Sequence, residues 1–195
     1  MLHLHFQELV TPQLRLRRLG AEDVPVFYSR LASSQNVTKS MLWKPHASLE
    51  ESAASIQKAL RRLEAGESCR WAITLKTTGA LIGIIDLLPR DIPKGICSFA
   101  YMLAESHWNR GYGTEAMKAV TDFGFAQCGV LLFEADHFAD NPASGAVMRK
   151  AGMVYCETIP EKYEKNGVRH DAHVYRMTRS DWQMRSKENA FSDNS

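Results

Sequence analysis

Residues 108–116 read Trp-Asn-Arg-Gly-Tyr-Gly-Thr-Glu-Ala and join a glycine-containing loop to a helical pattern. The first N–H groups of a helix have no intrahelical partner and lie at its positive dipole end, so they can bind an anion. Gly111 and Gly113 leave room for a ligand to approach the main chain, and Arg110 adds a positive charge. The pattern predicts a phosphate site, although tight turns of purely structural purpose use the same residues.

Two other phosphate-binding loops do not fit this segment. The loop of nucleoside triphosphatases ends in Gly-Lys-Ser or Gly-Lys-Thr, and neither sequence occurs in the chain. The dinucleotide-binding fingerprint requires a third glycine at the position of Ala116. Both are disfavoured, whereas a structural glycine turn in an unrelated fold stays open as an alternative.

Residues 108–116 resemble the acyl-CoA signature of GNAT-type N-acetyltransferases, in which Arg or Gln is followed by x-x-Gly-x-Gly or Ala. They are also similar to Trp-x-x-Gly-Tyr-Ala-Thr-Glu-Ala, the form found in the ribosomal-protein alanine N-acetyltransferase branch. The resemblance implies an acetyl-CoA site in which main-chain amides hold the pyrophosphate. These amides belong to Asn109, Arg110, Gly111, Tyr112, Gly113 and Thr114. It also implies that main-chain groups of Met102 and Leu103 pair with pantetheine.

Residues 141–153 resemble the second signature of the family, Asn-x-x-Ser-x-x-Val-x-x-Lys-x-Gly-Phe, with Met153 in place of the aromatic residue. By this resemblance Asn141 hydrogen-bonds the pantetheine arm, Ser144 lies near the sulfur, and Lys150 belongs to the cofactor-binding set. Asn141 is also a favourable helix N-cap, so simple capping explains the same residue type.

A general base is useful to an N-acetyltransferase because the attacking amine must be neutral, whereas the pKa of a lysine is about 10.4. Glu161 and Glu164 lie on the approach to the last hairpin, where the resembling branch can carry a glutamate, although Tyr163 occupies the aligned position. Glu161 is the candidate base. Four other carboxylates are alternatives: Asp86, Glu105, Glu134 and Asp136.

Many members of the family protonate the departing thiolate with a tyrosine, at the position that Met148 occupies here. The resemblance therefore leaves Ser144 as the candidate acid, or departure of the thiolate without a protein acid. Asp171 and Tyr175 match the Asp-x-x-x-Tyr of the last strand, and Tyr175 is expected to shape the acceptor pocket. In the resembling family, residues 33–47 also belong to the acceptor side.

Hydrophobic periodicity predicts the elements that would position these residues. The predicted strands are residues 11–19, 69–75, 80–88, 96–103, 130–138, 154–159 and 172–178. The predicted helices are residues 21–32, 49–66, 111–127 and 142–151. This order is that of the GNAT fold, an α+β, three-layer architecture. The resemblance implies a mixed, mostly antiparallel sheet flanked by helices, with a central parallel pair that splays apart at the thioester.

Composition favours one globular domain over residues 1–182 and a polar, frayed tail over residues 183–195. A formal charge of +2 disfavours a nucleic-acid partner, and the short apolar runs disfavour a membrane span. Four widely spaced cysteines indicate reduced thiols in a core and a cytoplasmic location. The scattered histidines and cysteines predict no metal site.

These observations predict an acetyl-CoA-dependent N-acetyltransferase that moves an acetyl group from the CoA thioester to a primary amine by direct attack. The expected partners are acetyl-CoA and an amine acceptor, which is a small molecule or a protein N-terminus. The chain is expected to be a monomer or a homodimer. A non-catalytic acyl-CoA sensor of the same fold is the alternative from another class.

Overall fold

The computed structural model describes residues 1–192, with the side chains of residues 1–185. Eight strands form one sheet in the order β1-β2-β3-β4-β5-β6-β8-β7. They are β1 Leu9–Val10, β2 Leu14–Arg18, β3 Cys69–Leu75, β4 Leu81–Asp91, β5 Ile96–Leu103, β6 Leu132–Phe138, β7 Val154–Lys165 and β8 Val168–Thr178. The helices are α1 Val24–Phe27, α2 Gln35–Thr38, α3 Leu49–Glu64, α4 Tyr112–Gln127, α5 Pro142–Ala151 and α6 Arg179–Ser192.

Apolar side chains cover both faces of the sheet, so the fold has three layers. One core cluster packs α4 and α5 against one face and contains Trp71, Val120 and Phe133. A second, smaller cluster packs α1, α2 and α3 against the opposite face and contains Phe27 and Ile56. The predicted three-layer α+β architecture is confirmed. Among the described residues no helix is long and apolar enough to cross a membrane.

The sheet opens between β5 and β6, its parallel pair. These strands are paired only at Ile96 with Leu132 and at Cys97 with Phe133. Beyond that point β5 stays paired with β4 up to Leu103, while β6 stays paired with β8. The two strands therefore separate along most of their length and leave a gap in the middle of the sheet, as the family resemblance implies.

Several elements differ from the sequence-based predictions. The predicted helix at residues 21–32 is a series of short turns, in which α1 is flanked by a 3₁₀ turn at Ala21–Asp23 and a π turn at Tyr28–Ala32. Strand β7 continues to Lys165 because it pairs with β8, although its outer residues are polar. The strands meet at Asn166 and Gly167, whose positive φ angles of 53° and 78° suit a tight hairpin turn.

The expected burial of the cysteines and the expected frayed C-terminus also differ from the structure. Cys69, Cys97 and Cys128 are buried, but Cys156 is exposed on β7, the edge strand. Helix α6 occupies residues 179–192, where a frayed tail was expected from residue 183. Trp182 anchors its first turn by stacking on Phe125, with ring centroids 5.5 Å apart. Residues 193–195 lie outside the described part of the chain.

Candidate active site

The N-terminus of α4 lies beside the gap. Gly111 is the N-cap with φ of +82°, and its carbonyl accepts the first intrahelical hydrogen bond, from the Glu115 N–H at 3.0 Å. The N–H groups of Tyr112, Gly113 and Thr114 precede that bond and have no carbonyl within the helix to pair with. A Cβ on Gly111 would have no neighbour within 4 Å, so this face of the loop is open to a ligand.

The two loop glycines have different structural roles. Gly111 adopts a left-handed conformation that is unfavourable for residues with a Cβ atom. A Cβ on Gly113 would lie 3.4 Å from the Tyr101 ring and 3.5 Å from side-chain atoms of Leu103 and Val147. Gly113 therefore lets α4 approach β5 and α5 closely, and this packing brings the helix amides to the gap.

The exposed Arg110 and Asn109 flank this loop, and Asn109 also has a positive φ, of 58°. Trp108 follows the end of β5, and its indole N–H donates to the Leu103 carbonyl at 2.8 Å. This hydrogen bond fixes the loop to the strand on which the resemblance places pantetheine. Leu103 and the amide-bearing loop are thereby joined by a side-chain hydrogen bond.

The hydrogen bonds of β5 show which of its main-chain groups face the gap. The Ala104 N–H donates to the Ile82 carbonyl at 2.8 Å on β4. Alternate residues of an antiparallel strand direct both main-chain groups to the same neighbour, so Met102 also directs its groups to β4, opposite Ile84. Leu103 and Tyr101 direct theirs to the side of the gap, where the Leu103 carbonyl already accepts the Trp108 indole N–H. The direction of the Met102 groups does not favour the expected pairing of Met102 with pantetheine, whereas the main chain of Tyr101 faces the gap.

A polar cluster connects β5 with the first turn of α5. Asn141 is the N-cap, its side-chain oxygen accepts the Ser144 N–H at 3.4 Å, and its Nδ2 donates to Ser144 Oγ at 3.0 Å. The Tyr101 hydroxyl donates to the same Oγ at 3.3 Å. Burial raises the pKa of Tyr101, so the phenol stays protonated. Because Ser144 Oγ accepts twice, its own proton is available to another acceptor.

Tyr101 was not among the residues selected from the sequence. Its signal in the sequence is weak, because an aromatic residue in an apolar strand is ordinarily a core residue. Only the packing of β5 against α5 reveals that its hydroxyl meets Ser144. The structure thus brings Asn141, Ser144 and Tyr101 together at the edge of the gap.

Lys150 lies on the outer part of α5 and shares a groove with the α4 N-terminus. The groove has a volume of about 850 Å³, and Lys150, Gly111 and Thr114 line it. Its wall is fixed by Glu115, whose carboxylate accepts from the Thr11 hydroxyl at 2.6 Å and from Gln13 at 2.8 Å. The glutamate of the sequence signature therefore holds the β1–β2 turn against α4.

Tyr175 and Glu161 have surroundings that differ from the expectations. Tyr175 is 2% exposed beneath α5, and its hydroxyl accepts a hydrogen bond from Arg149 at 2.8 Å. It packs with the α4 and α5 core, on the face of the sheet opposite α3. Glu161 lies at an irregularity of β7 with an exposed side chain, 3.5 Å from Arg169. These are the surroundings of a solvated surface carboxylate.

The alternative carboxylates all have partners. Asp86 pairs with Arg70 at 2.6 Å, Asp136 with Lys162 at 2.6 Å, and Glu134 with Arg176 at 2.6 Å. Asp136 also accepts from the Tyr163 hydroxyl at 2.7 Å, and desolvation together with this carboxylate raises the pKa of Tyr163. Glu105 accepts from Ser34 and Asn36, which lowers its pKa.

A family model described as an acetyltransferase (GNAT) domain matches residues 13–154. The chain belongs to the GNAT family. It is 26% identical over 170 residues to the uncharacterized N-acetyltransferase YoaA of Bacillus subtilis (strain 168), a match covering 87% of this chain and 96% of that protein. Family membership and this relative identify the chain as an acetyl-CoA-dependent N-acetyltransferase.

Solved structures show the same GNAT fold. RimL, a ribosomal L7/L12 α-N-protein acetyltransferase in complex with coenzyme A, superposes with a TM-score of 0.81 at 20% identity, over 88% of this chain and 98% of that one. Spermidine N-acetyltransferase from Vibrio cholerae, in complex with CoA and spermine, gives 0.77 at 18% identity, over 89% and 99%. The open gap, the free helix amides and the exposed side of Gly111 fit a CoA ligand in this GNAT protein.

On the other side of the sheet, the GNAT domain has a second cavity, of about 310 Å³. It lies between α3, residues 41–46 and the surfaces of β3, β4 and β5. Trp43 and His46 form one wall, with ring centroids 5.0 Å apart. Tyr101 also lines this cavity, so β5 connects it with the cluster around Ser144.

Lys165, at the end of β7, holds the last hairpin against this side of the GNAT domain. Its ammonium donates to the carbonyls of Thr38, Lys39 and Met41 at 2.6, 3.0 and 2.6 Å. Met41 lines the second cavity, so this contact fixes part of the cavity wall. Desolvation lowers the pKa of Lys165.

Proposed function

We propose that this enzyme transfers the acetyl group directly from acetyl-CoA to a primary amine, with both substrates bound together. The carrying observation is the position of Tyr101. Its hydroxyl touches Ser144 on the α5 side, while the residue also lines the cavity on the α3 side. A thioester held at the α4 and α5 side and an amine in the cavity would therefore meet at the gap beside β5.

The main chain of β5 supplies the electrostatic part of this proposal. Leu103 directs its N–H into the gap, where it can stabilise the oxyanion that forms when the amine attacks. One preorganised donor of this kind contributes about 3 to 4 kcal/mol to lowering the barrier. Ser144 is suited to donate a hydrogen bond to the departing thiolate, since its oxygen already accepts from Asn141 and Tyr101.

The same hydrogen bonds argue against a covalent acetyl-serine. A serine nucleophile needs an adjacent base, but both side chains bonded to Ser144 Oγ act as donors to it. Cys69, Cys97 and Cys128 are buried in the α4-side core, where burial raises the pKa of each thiol. Neither feature favours a two-step mechanism.

Initial-rate kinetics with acetyl-CoA and a panel of amines test this function. Release of CoA thiol that depends on the amine, with intersecting double-reciprocal lines, is expected for a ternary complex. Parallel lines, together with an acetylated protein detected by mass spectrometry after exposure to acetyl-CoA alone, would contradict direct transfer. Absence of amine-dependent thiol release across the panel would contradict the proposed function itself.

A further inference from the structure

The cavity on the α3 side has a carboxylate in its floor, close to the gap. Arg70, Asp86 and Ala100 lie opposite one another on β3, β4 and β5. Paired residues of neighbouring strands project from the same face of a sheet, about 5 Å apart. Asp86 is therefore one strand away from β5, and the small side chain of Ala100 lies between its carboxylate and the gap. All three residues line the cavity.

Arg70 holds this carboxylate in a fixed position. Its Nε and Nη2 donate to the two oxygens of Asp86 at 2.6 and 2.9 Å. Burial opposes the charge of Arg70, but Asp86 more than offsets this and raises the pKa of the guanidinium. A carboxylate in a bidentate pair still has free lone pairs, so Asp86 can accept N–H bonds from an amine in the cavity.

Helix α3 adds positive charge on another side of the cavity. Lys58 and Arg62, four residues apart on the same helix face, both line it. Ser55, one turn before Lys58, lies 3.4 Å from Arg70 Nη1, so the helix is near the buried ion pair. Arg62 has Glu67 at 3.5 Å, whereas no ion pair within the described part of the chain involves Lys58.

These charges distinguish between classes of amine. Asp86 is matched by Arg70, and Arg62 has the exposed Glu67 as its partner, so Lys58 supplies the unmatched positive charge at the rim among the described ion pairs. A polyamine would bring further cations against this rim and be repelled. An amine that also carries an anionic group could bind Asp86 through its amine and the basic side chains of α3 through its anion. The volume of about 310 Å³ is at the small end of ligand pockets and suits a molecule of amino-acid size.

We propose that the acceptor is a small amine that bears a carboxylate, of the amino-acid class. Asp86 receives and orients the amine beside β5, while Lys58 and Arg62 bind the carboxylate. This inference rests on the proposed function, because it names the acceptor of the same transfer site. The three residues are specificity-determining.

The test compares acceptors that differ in one charge. The α-amino acids other than proline, whose amine is secondary, are assayed with acetyl-CoA. Each is matched with its α-carboxamide, which keeps the primary amine and the shape. Spermidine is the polycationic comparison. The amino acid is expected to have a kcat/KM about 10- to 100-fold above that of its carboxamide, the range for hydrogen bonds to a charged group. Equal values, or a preference for spermidine, would overturn the inference and leave the transferase function standing.

Variants of α3 test whether Lys58 and Arg62 cause the preference for the amino acid over its carboxamide. The double variant Lys58→Ala, Arg62→Ala is expected to lower kcat/KM for the amino acid to the level of its carboxamide, with the KM for acetyl-CoA unchanged. Arg61→Ala is the matched control, since Arg61 is exposed and does not line the cavity. A double variant that keeps the full preference would refute the assigned role of Lys58 and Arg62.

A binding measurement separates the two proposals. Calorimetry of the CoA-loaded protein with the same amino acids and carboxamides reports on the cavity even without turnover. Tighter binding of the amino acid, lost in the double variant, supports the inference when turnover is absent and only the proposed function fails. No difference between amino acid and carboxamide in binding or in turnover would overturn the inference.

Discussion

The two sides of the gap between β5 and β6 are built from different ranges of the chain. The proposed cofactor side consists of two short segments, the end of β5 with the α4 N-terminus and the first turns of α5. Some of its contacts are local, such as the bond from Trp108 to the Leu103 carbonyl five residues before it, whereas Tyr101 and Ser144 are 43 residues apart. The proposed acceptor side combines α3, residues 41–46, three strands and the last hairpin, and the Lys165 to Thr38 bond joins residues 127 apart.

This difference explains why one kind of site can be recognised in a sequence and the other cannot. A site made from main-chain amides and a helix cap needs particular residues at fixed spacing, so it leaves a recognisable motif. A site made from side chains of distant segments has no such spacing, and its specificity can change without loss of the fold. Variants on the two sides should therefore affect different kinetic constants.

The largest effect is expected from Gly111→Val on the cofactor side. The new side chain would stand on the open face of the loop, and a β-branched residue at φ of +82° is strained by about 1–2 kcal/mol. CoA affinity measured by calorimetry should fall by about 100-fold or more. Gly79→Val is the matched control, because Gly79 has φ of +71° and no neighbour within 4 Å, but lies in the β3–β4 turn. Equal loss of CoA affinity in both variants would show that strain, not the loop, is responsible.

A smaller effect on the same side is expected from Asn141→Ala. Loss of the cap should lower the free energy of unfolding by about 1 kcal/mol. CoA affinity should fall about tenfold, if Asn141 also binds the pantetheine arm. Ser48→Ala removes the cap of α3, where the Ser48 side chain accepts from the Glu51 N–H, and serves as the control in chemical denaturation. If the Asn141 variant loses stability but keeps its CoA affinity, Asn141 only caps α5 and does not bind CoA.

On the acceptor side, Lys165→Met should raise the KM for the amine several-fold, about 3- to 10-fold, through loss of charge-assisted hydrogen bonds to residues 38–41. The dissociation constant for CoA should stay the same, because no residue of the α4 loop is involved. Lys94→Met, which removes an exposed lysine paired with Asp91, is the control. A change in CoA affinity with an unaltered amine KM would contradict the division between the two sides.

The smallest effect is expected from Glu161→Gln. An exposed carboxylate beside Arg169 contributes little, so kcat at saturating substrates should stay within about twofold of the parent value across the pH range. A large loss of kcat together with the disappearance of an acidic limb from the pH profile would restore Glu161 as the general base.

Much of the cofactor side could be predicted from the sequence. The glycine loop, the Asn141 cap and the order of strands and helices each follow from local rules of capping, periodicity and turn chemistry. The direction of the main chain at Met102 could not be, because it depends on the register of β5 against β4, and a shift of one residue reverses the direction of every group.

Most of the proposed acceptor side could not be predicted from the sequence. The pairing of Arg70 with Asp86 requires the register of β3 and β4, and the contact of Lys165 with Thr38 requires the complete fold. The burial of Tyr175 beneath α5 could not be predicted either, because a motif fixes a strand position but not which face of the sheet that position occupies. Long-range packing decides all of these, and hydrophobic patterns report only local structure.

Amide NMR spectra recorded during titration with CoA test the central claim most directly. The N–H signals of Leu103, Tyr112, Gly113 and Thr114 should shift together as CoA binds, because these groups face the gap or begin α4. The Met102 N–H, directed to β4, should move far less. Saturable CoA binding that leaves the α4 amides unmoved, or that shifts Met102 more than Leu103, would contradict the account.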